Sequence, residues 1–302
     1  MRIKLRFATR PSKLARWQTS TVIQTLRSHW PNLQCEQIVM KTRGDVLLDQ
    51  PLPEIGGKGL FTAELDNALR AGEFDAVVHS LKDLPIEESP GLKIGAIPRR
   101  GPASDVLLNS KSLTLAELPD GSRVGTSSLR RQAQLLAYRS DLQVKPLRGN
   151  VDTRIRKLLA GEYDAIVLAT AGVTRLEMEE HVAEELPFEI MLPAPGQGAL
   201  AVQCRSDDED VLNYLAVIDH VETRRAVSAE RAFLDALGGG CSLPVGAYAS
   251  AVEEQIEMQG AVISLDGRRQ IRVSGRSSHP INLVAKLATE ALAQGAEEVL
   301  NA

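Results

Sequence analysis

The chain has 302 residues, beyond the ~250 at which a single hydrophobic core stops growing, so two or three domains are expected. Its 43% apolar and 25% charged residues suit a globular protein with real cores and exclude global disorder or a fibrous repeat. Thirty-five basic against 39 acidic residues give a net charge of −4, which with 4% aromatic content argues against general nucleic-acid binding; no apolar run nears the ~18 residues of a membrane span.

The first acidic residue is Glu36, so the amino terminus has the look of a basic transit peptide. However, Ile3, Leu5 and Phe7 alternate as a strand does, and Pro11-Ser12 then opens a helical pattern, so the segment reads as folded structure. From Thr42 to Gly59, prolines and glycines break both periodicities and the stretch reads as a lid. A helical pattern over Phe61–Arg70 leads into Ala71-Gly72-Glu73-Phe74-Asp75-Ala76-Val77-Val78. A closely similar octet recurs 89 residues later as Ala160-Gly161-Glu162-Tyr163-Asp164-Ala165-Ile166-Val167, after a helical pattern over Thr153–Leu159. Each copy predicts a helix ending at glycine, an acidic turn and a buried parallel strand. Two α/β lobes of one design follow, and such pairs commonly bind a ligand in the cleft they form.

The first lobe is expected over 1–100 plus 193–218 and the second over 101–192. The crossings fall near Pro102 and at the Pro193-Ala194-Pro195-Gly196-Gln197-Gly198 stretch. From 219 to 302 the pattern changes to a helix (Val221–Leu237), a glycine run, strands (Val245–Ala249, Ile256–Ser264, Gln270–Gly275) and a final helix (Asn282–Leu300), an α+β third domain. Cys35, Cys204 and Cys241 lack any Cys-x-x-Cys pair, which excludes a disulfide framework or a structural zinc site, leaves no metal expected, and suits a reducing compartment.

Charge is unevenly spread. Gly121 to Lys157 holds nine basic residues against two acids, which points to a local anion site. Within it Gly125-Thr126-Ser127-Ser128-Leu129-Arg130-Arg131 follows a strand and opens a helix, so hydroxyls, helix amides and guanidinium groups can converge on one anion. Ser127 or Ser128 alone would be an ordinary cap; Arg130, Arg131, Arg148-Gly149-Asn150 and Arg154 together favour the anion site. The missing Walker and dinucleotide glycine signatures leave a carboxylate ligand as good a fit as a phosphate. Arg10, Ser12, Lys58, Arg175 and Arg205 could extend the site, though each alone is an ordinary surface residue.

His79-Ser80-Leu81-Lys82-Asp83-Leu84-Pro85 leaves the carboxyl end of the first repeated strand, where open parallel sheets place ligands. Asp83 beside Lys82 suits a carboxylate that stabilises a cation or moves a proton, although an Asp before Leu-Pro is by itself more often a turn residue. His79 reads equally as a core histidine or a catalyst. Cys241 follows three glycines; a lone cysteine is usually a small buried hydrophobe, and with no Cys-His-Asn pattern around it a covalent tether is the better functional reading.

Taken together the segments Ala8-Thr9-Arg10, Thr42-Arg43-Gly44-Asp45, Gly56-Gly57-Lys58-Gly59, His79-Ser80-Leu81-Lys82-Asp83, Gly125-Thr126-Ser127-Ser128-Leu129-Arg130-Arg131, Leu147-Arg148-Gly149-Asn150, Pro195-Gly196-Gln197-Gly198 and Gly239-Gly240-Cys241 occur in the order found in the porphobilinogen deaminase (hydroxymethylbilane synthase) family, which the chain resembles over nearly its whole length. Two positions depart from it: Glu54, where some members carry Lys, and Gly239, where many carry Glu.

The resemblance implies an α/β fold of two periplasmic-binding-protein-like lobes plus a small α+β carboxy-terminal domain that carries the thiol. It implies a transferase that deaminates four porphobilinogen molecules and joins them head to tail into hydroxymethylbilane, in tetrapyrrole and haem biosynthesis. Growth takes place on a dipyrromethane cofactor held covalently by a thioether, here to Cys241. By resemblance Asp83 is catalytic. With Ser12, Lys82, Thr126, Ser127, Ser128, Arg130, Arg131 and Arg154, it also binds the cofactor. Arg10, Lys58, Arg148, Gly149, Asn150, Arg175 and Gln197 map to substrate. A monomer is implied as well; a cytoplasmic location is expected from the absence of targeting signals, and no nucleic-acid or membrane partner from the net charge and the lack of a long apolar run. The competing expectation is a non-catalytic two-lobed anion-binding protein, which would be indifferent to loss of Cys241.

Overall fold

The computed structural model describes residues 3–42, 62–87, 89–239 and 243–301; of the expected lid only Thr42 lies within them, and Lys58 and Cys241 lie outside. The chain divides into two compact units, Met1–Arg100 with Ala199–Arg224 and Gly101–Gly198 with Arg225–Ala302.

In the first unit five strands take the order β2-β1-β3-β10-β4. β1 (Lys4–Thr9) lies parallel to both β2 (Gln34–Val39) and β3 (Ala76–Ser80). β10 (Leu200–Arg205) runs antiparallel to β3 and to β4 (Leu92–Ala96). Leu5 and Phe7 point to one face and pack with Val22 and Leu26 of the helix Lys13–His29 and Leu215 of the helix Glu209–Ala216. Ala8 and Val77 point to the other face, against Leu65 and Leu69 of the helix Ala63–Arg70. Alternation along the strand therefore covers both faces, each buried large side chain contributing roughly 1.5–3 kcal/mol. Ile3, expected to share the alternation, falls outside β1 and is 70% exposed.

The second unit repeats this order with β7-β6-β8-β5-β9. β6 (Arg123–Gly125) is parallel to β7 (Gln143–Lys145) and β8 (Ala165–Ala169), and β5 (Asp105–Leu108) is antiparallel to β8 and to β9 (Val182–Leu186). In both sheets the antiparallel fourth strand is the first one formed after the chain crosses into that unit. The helix Leu129–Tyr138 covers one face through Leu135, and Val151–Leu159 the other through Ile155 and Leu158.

This unit also holds the helix Val221–Ala236 from Arg225 onward, the antiparallel meander β11 (Val245–Val252), β12 (Gln255–Ile263) and β13 (Gln270–Ser277), and two closing helices. Phe233 of the long helix fits against Gly260, where an added Cβ would lie 2.5 Å from the ring. The single helix expected over Asn282–Leu300 is two, Pro280–Ala293 and Ala296–Asn301. Gly295, at φ +93°, adopts the left-handed conformation that ends helices, a break that hydrophobic periodicity does not register. The fold is thus α/β in two sheet-bearing lobes with a small α+β carboxy-terminal part, as the sequence patterns predict. No described helix is long and apolar enough to cross a membrane.

Candidate active site

Parallel strands present their carboxyl ends on one side of a sheet, and in each unit several of the anticipated site residues that are described follow those ends. In the first unit β1 ends at Thr9 and leads through half-buried Arg10 to Ser12, whose Oγ accepts the N–H of Ala15 at 3.2 Å and caps the helix that follows. Beside it β3 passes directly into a 3₁₀ turn, Leu81–Asp83. Fully buried Leu81 anchors the turn and donates its N–H to the Ala199 carbonyl at 3.0 Å. Lys82 is left half-buried and Asp83 exposed. The strand's last residue, Ser80, accepts from Gln18 Nε2 at 2.9 Å, which fixes the base of the turn.

His79 is buried, with Nε2 at 3.2 Å from Gln203 Oε1. Burial pushes its pKa down to about 4; the Gln203 hydrogen bond opposes this and the charge of Arg10 reinforces it, so the imidazole is neutral at physiological pH. Of the two roles open to His79, the hydrogen-bonded core position is the one observed.

In the second unit β6 ends at Gly125 and runs into Thr126-Ser127-Ser128. All three hydroxyls serve the loop itself. Ser128 Oγ caps the helix Leu129–Tyr138 by accepting from Arg131 N at 3.4 Å, Thr126 Oγ1 accepts from Ser128 N at 3.2 Å, and Ser127 Oγ both donates to Leu147 O at 2.9 Å and accepts from Leu147 N at 3.0 Å. The Ser127 bridge holds the end of the next loop, where Arg148, Gly149 and Asn150 form the entry to the helix Val151–Leu159. Arg154 Nε reaches back to the Gly149 carbonyl at 2.8 Å. Thr126 to Ser128, Arg148 to Asn150 and Arg154 are thereby brought together.

Arg130 and Arg131 turn inward, with exposures of 4% and 5%. Both meet Asp105, the fully buried first residue of β5. Arg130 Nη2 donates to Oδ2 at 2.8 Å, while Arg131 donates to Oδ1 from Nη2 at 2.6 Å and from Nε at 3.1 Å. Their other bonds go to the carbonyls of Leu192 (2.7 Å) and Val167 (3.0 Å). Burial lowers the pKa of Arg130 against the opposing pull of Asp105. Gln197, also fully buried, donates Nε2 to Asp105 Oδ1 at 2.9 Å and to the carbonyls of Ala103 and Ser104 at 2.7 and 3.1 Å.

Half-buried Arg175 donates Nη2 to the Gly198 carbonyl at 2.6 Å, and burial lowers its pKa. Arg205 does not extend the site: it donates to the carbonyls of Leu69 and Phe74 at 2.9 and 2.7 Å and pairs with Asp208 at 2.5 Å, so it braces the first lobe.

Sequence reasoning missed Asp105. The available signal was a charged residue opening an otherwise apolar strand, Asp105-Val106-Leu107-Leu108, downstream of which two adjacent arginines would otherwise be buried unpaired.

A family model described as porphobilinogen deaminase, dipyromethane cofactor binding domain, matches residues 5–213, and one described as porphobilinogen deaminase, C-terminal domain, matches residues 224–293. This chain belongs to the porphobilinogen deaminase family. The porphobilinogen deaminase of Brevibacillus brevis is 49% identical over 298 residues, covering 98% of this chain and 96% of its own length. That of Roseiflexus castenholzii is 47% identical over 302 residues, covering 99% of each. That of Desulforamulus reducens is 44% identical, covering 99% of this chain and 98% of its own. Among solved structures a methionine-binding protein aligns at 14% identity with a TM-score of 0.45, over 71% of this chain and 89% of that one. Every described site residue from Arg10 to Gln197 lies in the stretch matched by the cofactor-binding model of the porphobilinogen deaminase family, and Cys241 in the stretch matched by the C-terminal one.

Proposed function

We propose that this chain deaminates four porphobilinogen molecules and condenses them head to tail into hydroxymethylbilane, on a dipyrromethane primer bound through a thioether to Cys241. The observation that carries the reading is Asp83, an exposed carboxylate presented by the 3₁₀ turn at the carboxyl end of β3, within the stretch matched by the cofactor-binding model.

Each pyrrole of the substrate and of the growing chain bears an acetate and a propionate, so every added ring brings two carboxylates that need cationic partners. The residues present fit such a group. Among the described residues two buried guanidinium groups face the single carboxylate of Asp105, and the buried Nε of Arg130 has no hydrogen-bond partner. A surplus positive charge and an orphaned donor suit an added carboxylate. Ser12, Lys82, Thr126, Ser127, Ser128, Arg130, Arg131 and Arg154 would hold the cofactor. Arg10, Lys58, Arg148, Gly149, Asn150, Arg175 and Gln197 would serve the substrate. When bound, the dipyrromethane supplies a pyrrole whose free α-carbon is nucleophilic.

The chain's own contribution is electrostatic. As the aminomethyl C–N bond of porphobilinogen breaks and nitrogen leaves as ammonia, positive charge spreads onto the pyrrole nitrogen. The Asp83 carboxylate stabilises it. A new C–C bond joins the methylene to the free α-carbon at the growing end, and the proton lost from that carbon is one Asp83 can receive. A cytoplasmic, monomeric enzyme belongs to the same proposal, as does a division into lobes 1–100 with 193–218 and 101–192 and a thiol-bearing domain 219–302. The described cysteines Cys35 and Cys204 are unpaired, as a reducing compartment requires.

The test is the intact mass of the purified protein and of Cys241→Ala, before and after incubation with porphobilinogen. An excess equal to two deaminated pyrrole units, absent from the variant, supports the reading. Reversible binding with no mass change in either protein would sink it.

A further inference from the structure

Asp105 has no place in the function proposed above, yet its carboxylate joins three residues assigned to the second unit's site, Arg130, Arg131 and Gln197. Its two oxygens receive three bonds from Arg130 and Arg131, at 2.8, 2.6 and 3.1 Å, and a fourth from Gln197 at 2.9 Å. The Gln197 amide is itself fixed on the Ala103 and Ser104 carbonyls, so the acceptor is held in place from behind. Arginine's planar fork means that bonds of this kind fix the orientation of the whole group. Left alone, two buried guanidinium groups on successive residues would repel and splay apart.

We infer that Asp105, backed by Gln197, is a positioning residue that orients the guanidinium groups of Arg130 and Arg131 towards the carboxylates of the cofactor. The inference rests on the reading that these arginines hold a carboxylate-rich cofactor.

Positioning and mere neutralisation differ in sign when the charge is removed. Asp105→Asn leaves two cations without their anion. If Asp105 only neutralised them, a polycarboxylate would load as fast or faster. If it positions them, loading slows although the site has become more positive.

The experiment follows adduct formation by intact mass in wild type, Asp105→Asn and Asp105→Glu, each as purified and during incubation with porphobilinogen, with far-UV circular dichroism and a thermal melt defining the folded fraction. Folded Asp105→Asn is expected to load at least tenfold more slowly than wild type. Asp105→Glu, which keeps the charge and both oxygens, is expected to regain part of the rate. Loading of folded Asp105→Asn at the wild-type rate, with only a lower melting temperature, overturns the inference, as does an Asp105→Glu protein no faster than Asp105→Asn.

Should Asp105→Asn fail to fold, Gln197→Met decides the matter, with loading compared at saturating porphobilinogen so that a weakened substrate contact of Gln197 does not itself slow it. It keeps the carboxylate and removes the donor behind it, so loading is expected to slow severalfold, and wild-type loading refutes the positioning role. Absence of any adduct in wild type is a separate result, seen in that arm alone, that removes the proposed function and this inference with it.

Discussion

Arg6 and Asp75 hold each other at both main chain and side chain. Asp75 Oδ2 accepts the backbone N–H of Arg6 at 2.8 Å, the N–H of Asp75 donates to the Arg6 carbonyl at 2.9 Å, and Arg6 Nη2 reaches the Gly72 carbonyl at 2.7 Å. The same clasp recurs in the second lobe. Asp164 Oδ2 accepts from Arg123 N at 2.8 Å, Asp164 N donates to Arg123 O at 2.9 Å, and Arg123 Nη2 reaches Gly161 O at 3.2 Å. The repeated octet is therefore a structural device. Gly72 and Gly161, at φ +74° and +77°, end a helix in the left-handed region, and the aspartate three residues on ties the returning strand to its neighbour.

The two copies differ in burial, and that predicts unequal costs. The Asp75 side chain is 6% exposed and that of Asp164 43%. Asp75→Asn keeps its shape but loses charge-assisted bonds in a dry setting, and should cost about 1.5–3 kcal/mol. Asp164→Asn should cost a small fraction of that, because water screens and replaces its partner. Urea midpoints of the two variants give the comparison; equal losses would show that the clasp is insensitive to burial.

For Asp83 the expectation is the opposite pairing of effects. The side chain is exposed and the turn is held by Leu81, so Asp83→Asn should leave the melting temperature near that of wild type. Turnover should fall by about a hundredfold or more, the usual scale for losing an electrostatic partner of a developing charge. Hydroxymethylbilane release, followed as uroporphyrin after acid oxidation, reads this directly. Near-normal turnover in the variant would remove Asp83 from the chemistry.

His79 makes a prediction about pH. Its unfolded pKa is about 6.5 and its folded value about 4. Between these values the unfolded chain takes up a proton that the native protein refuses, so stability falls as pH drops from about 6.5 towards 4. The depression corresponds to an upper bound of about 3 kcal/mol. His79→Gln should flatten unfolding free energy over this window relative to wild type. An unchanged slope would assign the acid sensitivity to other groups.

What could be read from the sequence was what is local in the chain. That Pro11-Ser12 opens a helix, and that Ser128 taken alone suits a cap, could be read because helix starts are decided within three residues, and both serines do cap helices. The octet repeat located two equivalent strands because its whole signal lies within eight positions. Asp105 was invisible because its partners are 25, 26 and 92 positions away, and no short pattern links them. Arg205 misled for the same reason: its carbonyl partners lie more than 130 positions back. Gly295 shows a different blindness, since apolar spacing continues in phase across a break made by one backbone angle.

Glu230 is a second buried carboxylate that no sequence pattern disclosed. From the helix Val221–Ala236 its fully buried side chain accepts the N–H of Gly196 on Oε2 at 2.6 Å and the N–H of Ala249 in β11 on Oε1 at 2.8 Å. It thereby joins the carboxy-terminal helix and sheet to the turn that carries Gln197. Both N–H groups belong to the main chain, so they stay in place when the side chain changes. Glu230→Gln retains a single acceptor oxygen and must present an amide NH₂ to the other N–H, leaving a buried donor unsatisfied at a cost of about 1–3 kcal/mol. Because Gly196 precedes Gln197, the loss should also reach the Asp105 cluster and slow cofactor loading, though less than Asp105→Asn does. Urea denaturation and intact-mass loading of the same preparation test both halves. Wild-type stability in Glu230→Gln would show that the clamp contributes nothing; lost stability with unchanged loading would confine Glu230 to holding the carboxy-terminal part in place.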